Sequence, residues 1–267
     1  MAPLTSPAVV LRIIEHGDHD KIITFFALKH GKVSLIAKGA KKSIRRFAGI
    51  LELFSVLNLV WTRGRGRGLP ILQEAGMVHP FERIRTSIAK TAYASYWCEL
   101  VYQWMEQGQK QSSVYNLLEH ALDELNAGDR PEETLHITFQ LRFMVINGFR
   151  PSLEHCSTCR MPLKKFEGVS IAFDARQGGV LCPKCHAQKR GCLYLSKGTI
   201  NHLRWVLNAP SEKLHRLRFS RQAKQESLEL LEAFVPCHLG KETKSLKFLK
   251  ALNIPAISRN RDGDLGP

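Results

Sequence analysis

Cys156-Ser157-Thr158-Cys159 is answered, after a gap of 22 residues, by Cys182-Pro183-Lys184-Cys185. No other stretch restricts the fold so strongly. Each pair can close a tight turn around one ion, and a hairpin between the pairs brings four thiolates to a single tetrahedral Zn²⁺. Residues 168–173 read as the outgoing strand, Gln177-Gly178-Gly179 as a turn, and Val180-Leu181 as the return. Two disulfides are the alternative, but adjacent pairs in a basic chain with an odd total of seven cysteines suit a metal better. Four thiolates leave no open coordination position, so the site reads as structural. Zinc ligation supplies on the order of 10 kcal/mol towards ordering a segment with little core of its own. His155, His186 and Cys192 are spare donors nearby. Arg160 and His186 each follow a pair, where glycine commonly takes a left-handed turn, and His186 stays open as a replacement ligand.

The chain has 267 residues, 44% of them apolar, enough for two or three compact units with real cores. No run approaches a membrane span, and Met-Ala-Pro-Leu-Thr-Ser is unlike a secretory leader, so a cytoplasmic protein is expected. The net charge of +15 predicts a polyanionic partner, most often nucleic acid. It is unevenly spread: residues 1–80, 81–150, 151–195 and 196–267 carry +7, −2, +4 and +6.

Residues 9–14, 21–28, 32–37, 51–61 and 69–74 are rich in β-branched, aliphatic and aromatic residues, and turn signals such as His30-Gly31 separate them. Five short strands at this spacing suit a small OB-type barrel; an SH3-like barrel would give a similar pattern. Between the third and fourth strands, Lys38, Lys41, Lys42, Arg45 and Arg46 precede Phe47. On a barrel rim these would hold phosphates, with Phe47 placed to stack on a base. Glycine-spaced Arg63, Arg65 and Arg67 offer a second contact loop before the fifth strand. Neither Gly-Lys neighbourhood has the glycine spacing of a phosphate-cradling loop.

After Pro80 the period becomes helical. Ile84, Ile88, Tyr96, Leu100 and Trp104 fit one face of a long helix over 82–107. Further helices are expected over 112–125 and from Pro131 to about 148, with Cys98 as inert packing. Beyond the cysteines, helices are expected over 197–207, 213–217, 221–235 and 242–252, the last with a stripe of Lys244, Lys247 and Lys250. The organisation is thus a barrel over 1–80, a helical domain over 81–150 and 196–252 interrupted by a zinc insertion over 151–195, and a polar tail over 253–267.

Several strings in this order resemble the RecO family of bacterial recombination mediators: Val10-Leu11-Arg12, Gly31-Lys32, Ala37-Lys38-Gly39-Ala40, Gly148-Phe149 with Pro151, Gly178-Gly179-Val180-Leu181-Cys182, and His238-Leu239-Gly240-Lys241 with Ser245-Leu246. The resemblance implies an OB-fold followed by a helical domain and binding of single- and double-stranded DNA. It also implies annealing of complementary strands, loading of recombinase with RecR onto DNA coated by single-strand-binding protein, and no enzymatic turnover. RecF and the recombinase enter as indirect partners, and work at the nucleoid during repair is implied. For the acidic, apolar-ended tail of single-strand-binding protein, Arg142 beside Phe143, and Lys197 or Lys247 near Phe248, are the expected contacts. The residues alone also allow a zinc-containing RNA-binding protein. A zinc-dependent nucleic-acid-modifying enzyme is disfavoured, because neither His-x-Glu with a cysteine pair nor His-Glu-x-x-His occurs.

Overall fold

Strand β1 (Leu4–His16) is buried on both faces through its middle, and this organises the molecule. Ala8 and Val10 point into a barrel core with Ile23, Phe25, Leu35, Leu59 and Trp61. The alternate residues Val9 and Leu11 point out, into a second core shared with the helices. Period-two alternation with both faces apolar makes the Ala-Val-Val-Leu run a strand sandwiched between two cores. In the computed structural model, residues 2–43, 46–47, 49–62 and 68–252 are described, without the side chains of 211, 212 and 215.

β1 pairs antiparallel with β2 (Asp20–Ala27) and β4 (Val56–Thr62), β2 with β3 (Gly31–Ala37), and β4 with β5 (Ile71–His79). A short parallel contact between Ile36 and Ile71 closes the barrel in the order β1-β2-β3-β5-β4. This is the OB arrangement, and it decides against the SH3-like alternative. A register shift between Val10 and Arg12 bulges β1. There Val10 N–H donates to Ser55 O at 3.0 Å and Phe54 N–H donates to Val10 O at 3.1 Å. Phe54 sits at φ 74°, an unfavourable conformation for a bulky residue, which turns its ring out of the barrel and into the helical core. Residues 51–55, expected to be strand, are therefore a loop that buries Leu51, Phe54 and Ser55 and leaves Leu53 exposed.

Gly31 fastens the barrel to the helices. Its φ is +66°, and a Cβ there would lie 1.9 Å from the Gln109 carbonyl oxygen, so only glycine fits. Beside it, Gly108 N–H donates to Lys32 O at 2.9 Å. Lys32 Nζ donates to the Tyr102 carbonyl at 2.7 Å, and Arg12 donates to the Tyr102 hydroxyl at 2.8 Å.

The long helix expected over 82–107 is two pieces, α1 (Glu82–Arg85) and α2 (Ile88–Trp104). Ser87 breaks it, adopting an extended conformation and accepting the Lys90 N–H as an N-cap. Ile84 is buried, but Ile88 is 71% exposed, so the two do not share a face. α2 and α4 (Glu132–Ile146) are buried around most of their circumference. α3 (Ser112–Ala127) covers them amphipathically and ends on Gly128 in the left-handed conformation. Between α2 and α4 lies a polar network: Trp97 Nε1 donates to His136 Nδ1 at 3.0 Å, and the Tyr96 hydroxyl donates to Gln140 Oε1 at 2.9 Å.

The cysteine segment is a three-stranded sheet in the order β7-β6-β8, built from β6 (Ser170–Asp174), β7 (Gly179–Leu181) and β8 (Leu193–Ser196), with a short α5 (Pro183–His186). It packs on α6 (Lys197–Asn208) and α7 (Arg221–Leu239). Gly179 is pressed between Ser152 and Ser157, and a Cβ there would come within 3.0 Å of both. α8 (Lys244–Leu252) returns to α2. Glu99 of α2 accepts the N–H groups of Lys244 and Ser245, at 3.3 and 2.8 Å, and the Ser245 hydroxyl. Among the described residues no helix is long and apolar enough to cross a membrane.

Candidate nucleic-acid interface and metal centre

The loop that leaves β3 folds back against the β1–β2 turn, which fixes where its cations lie. Gly39 N–H donates to Asp20 Oδ1 at 2.8 Å, and Lys41 N–H donates to His19 O at 3.1 Å. Lys38, Lys41, Lys42 and Arg46 are all exposed at this end of the barrel. Two of them carry acidic partners: Lys38 Nζ lies 3.4 Å from Asp20, and Lys41 Nζ lies 2.8 Å from Glu15. The Gly39 N–H, aided by Lys38, holds the Asp20 carboxyl below the usual carboxylate range, and the Lys41 hydrogen bond does the same for Glu15. Glu15 is exposed and Asp20 half-buried at the surface, where ion pairs are weak, so phosphates can compete for these lysines. Lys42 Nζ lies 3.2 Å from His19 Nε2 and has no carboxylate partner among the described residues.

Phe47 corrects an expectation. It is 3% exposed, part of the barrel core, with the Arg46 guanidinium 5.1 Å above its ring. A ring that closes the barrel's end cannot at the same time offer a free face to a base. Ser43 Oγ accepts the N–H groups of Arg46 and Phe47, both at 3.1 Å, and this local turn carries the ring inward. Arg45, Arg63, Arg65 and Arg67 lie outside the described residues.

Cys156, Cys159, Cys182 and Cys185 come together as expected. Their sulfurs all lie within 4.8 Å of one another, and Cys159 and Cys182 Sγ are 3.6 Å apart. A tetrahedron of thiolates at about 2.3 Å from a metal has edges of about 3.8 Å, so the donors fit such an ion. All seven cysteines are free thiols, and the disulfide alternative is not realised. Burial opposes ionisation of Cys156, but the backbone N–H groups of Cys159, Cys182 and Thr158 outweigh it and draw the thiol down to about 6. The first pair turns through Arg160, whose φ is 64°; Arg160 takes the left-handed position that glycine usually fills. His186 is not a ligand here: its Nε2 lies 3.0 Å from the Tyr194 hydroxyl, and the four-sulfur cluster contains cysteines alone.

The residues expected to meet a protein partner fall in three places. Arg142 donates to the Ala209 and Val206 carbonyls at the end of α6. It also edges an apolar groove of about 470 Å³ lined by Leu117, Val145, Ile146 and Leu207. Lys197 Nζ donates to the Phe166 carbonyl at 3.2 Å and so helps tie the cysteine segment to α6. Lys247 is exposed on α8 beside Phe248, which is 52% exposed. The lysine stripe on α8 is interrupted, since Lys250 is bound 2.8 Å from Glu242 and 3.7 Å from Glu232.

Comparison with known proteins covers nearly the whole chain. The family model described as recombination protein O N terminal matches residues 1–81, and that described as recombination protein O C terminal matches residues 85–247. A DNA repair protein RecO of Desulfatibacillum aliphaticivorans is 41% identical over 253 residues, covering 94% of this chain and 98% of the relative. The DNA repair protein RecO of Desulfosudis oleivorans is 37% identical, covering 94% and 99%. That of Syntrophus aciditrophicus is 34% identical, covering 90% and 92%. With a barrel of OB order, a helical region and a four-cysteine cluster in the same chain, the protein belongs to the RecO family of DNA repair proteins.

Proposed function

We propose that the chain is a DNA-binding recombination mediator that anneals complementary strands and, with RecR, helps recombinase replace single-strand-binding protein. The observation that carries this reading is the free end of the barrel, where Lys38, Lys41, Lys42 and Arg46 are exposed together on an OB-type frame. Arg45 and the arginines at 63, 65 and 67 belong to the same reading. Such a surface holds the phosphate backbone without regard to sequence, as strand exchange requires. Turnover plays no part: the chain works by holding strands and partners, and the metal is a structural zinc held by Cys156, Cys159, Cys182 and Cys185. The groove edged by Arg142 suits the acidic, apolar-ended tail of single-strand-binding protein, with its apolar floor for the terminal side chains and a cation for the carboxylate.

The test is binding to single-stranded DNA and to RNA of equal length, with and without single-strand-binding protein, across a range of salt. Preference for DNA and displacement or capture of the coated strand support the reading. The Lys41→Gln, Lys42→Gln double variant should flatten the log–log salt slope by about 1.4, at roughly 0.7 for each lost single-strand phosphate contact. An unchanged slope removes this end of the barrel from the site. Tail-peptide affinity unaltered by Arg142→Ala would remove the groove.

A further inference from the structure

Exposed cations gather away from the barrel as well. In the four-cysteine segment Arg160, Arg176, Lys184 and Arg190 are all exposed, and none has an acidic partner among the described residues. Their backbones lie around the cysteine cluster and the adjoining β6–β7 turn. Arg160 lies on the turn of the first cysteine pair and Lys184 between the cysteines of the second, so both flank the shared ligand cluster. Arg176 is in the β6–β7 turn, and that turn touches the first pair: Ser157 and Thr158 hydroxyls both donate to Gln177 Oε1 at 3.2 Å. Arg190 follows Lys189, whose Nζ lies 3.5 Å from Asp174, the residue that caps the same turn by accepting the Arg176 N–H at 2.8 Å.

An aromatic ring stands beside them. Tyr194 on β8 is 56% exposed, and its hydroxyl lies 3.0 Å from His186 Nε2, one residue beyond Cys185. A rigid frame with unpaired cations around a half-exposed ring is what a single strand needs: charge for the backbone and a flat face for a base. We infer that this end of the four-cysteine segment is a second single-strand surface, in which Arg160, Arg176, Lys184 and Arg190 hold phosphates and Tyr194 stacks on a base.

It is separate from the first surface. The barrel's basic loop leaves the Ala37 end of β3, whereas the Gly31 end meets the helices. Seven residues of strand put about 20 Å between the two ends. The cysteine segment hangs from α6 and α7. One molecule thereby holds two strands at once. The inference rests on the DNA-binding reading above and deepens it by assigning the second strand a place.

The test uses the full metal-loaded chain, with oligothymidine and with vesicles of anionic phospholipid. A quadruple variant, Arg160→Gln, Arg176→Gln, Lys184→Gln and Arg190→Gln, should keep its metal and melting temperature while lowering the salt slope for oligothymidine by about three. Tyr194→Leu should weaken binding about five-fold or more, and Tyr194→Phe, which loses only the hydroxyl bond to His186, should bind as the native protein does. In the native chain, oligothymidine should slow amide exchange over 157–160 and 184–194, a readout that does not depend on any variant folding. A native chain that fails to bind oligothymidine overturns both readings. Native binding with an unchanged slope in the quadruple variant, or no added protection over these residues, overturns this inference alone. Loss of vesicle binding with the DNA slope intact would assign the surface to a membrane instead.

Discussion

Acid should find the molecule's weak point at His136. The imidazole is fully buried between α2 and α4, with the rings of Tyr93, Tyr96 and Trp97 around it at centroid distances of 4.9, 5.2 and 6.4 Å. It accepts the Trp97 N–H at Nδ1, so its one proton sits on the other nitrogen. Burial pushes its pKa down to about 3, against roughly 6.5 in an unfolded chain. The folded state therefore refuses a proton that the unfolded state accepts. Stability is complete above the unfolded value and is lost as pH falls from about 6.5 towards 3. At about 1.36 kcal/mol per pH unit, lowering the pH from 7 to 5 removes roughly 2 kcal/mol through this one group. Urea midpoints at the two pH values, compared between the native chain and His136→Gln, isolate it. The glutamine carbonyl can still accept the Trp97 N–H but does not titrate, so the drop in the variant should be smaller by about 2 kcal/mol. Protonation of carboxylates and of the cysteine cluster affects both proteins and cancels. Equal drops in the two, or an imidazole seen by NMR to titrate near 6.5 in the folded protein, would refute the reasoning.

Gly31→Ala should lower stability by about 2 kcal/mol or more, read as a shifted urea midpoint, because its Cβ would drive the barrel off the Gln109 backbone. An unshifted midpoint would mean that this docking is not a native constraint. Glu99→Gln should free the start of α8 at a cost of about 1 kcal/mol, with amide exchange rising there before it rises anywhere on α2. Removing the metal with a chelator should release amide protection first over residues 151–195 while the barrel strands keep theirs. Collapse of barrel protection together with that segment would contradict it.

The barrel and the four-cysteine cluster were legible because each rests on a local pattern: strands between turn signals, and paired cysteines at a fixed spacing. What the sequence hid depends on contacts between distant residues. β8 is only Leu193–Ser196, too short to announce itself, and it exists because β6 offers Ile171 and Ala172 opposite Leu195 and Tyr194. Apolar spacing carried the first helix through Ser87, although Ser-Ile-Ala-Lys is a fair N-terminus in its own right; the cap won over the periodicity. Phe47 looked like an exposed ring because it ends a run of cations, and only the Ser43 turn reveals that it closes the barrel. Pairing within the basic loop, Lys38 with Asp20 and Lys41 with Glu15, likewise comes from residues some twenty positions apart.

The double burial of β1 bears on how the chain is made. A barrel emerging first from the ribosome leaves Val9, Leu11, Phe26, Phe54 and Val56 facing water until α2 arrives to cover them. The N-terminal unit is then closed as a sheet but sticky on its outer wall, an aggregation hazard in the nascent chain. Barrel and helices should for the same reason melt together as one cooperative block, and a barrel expressed alone should precipitate unless the outward face of β1 is made polar.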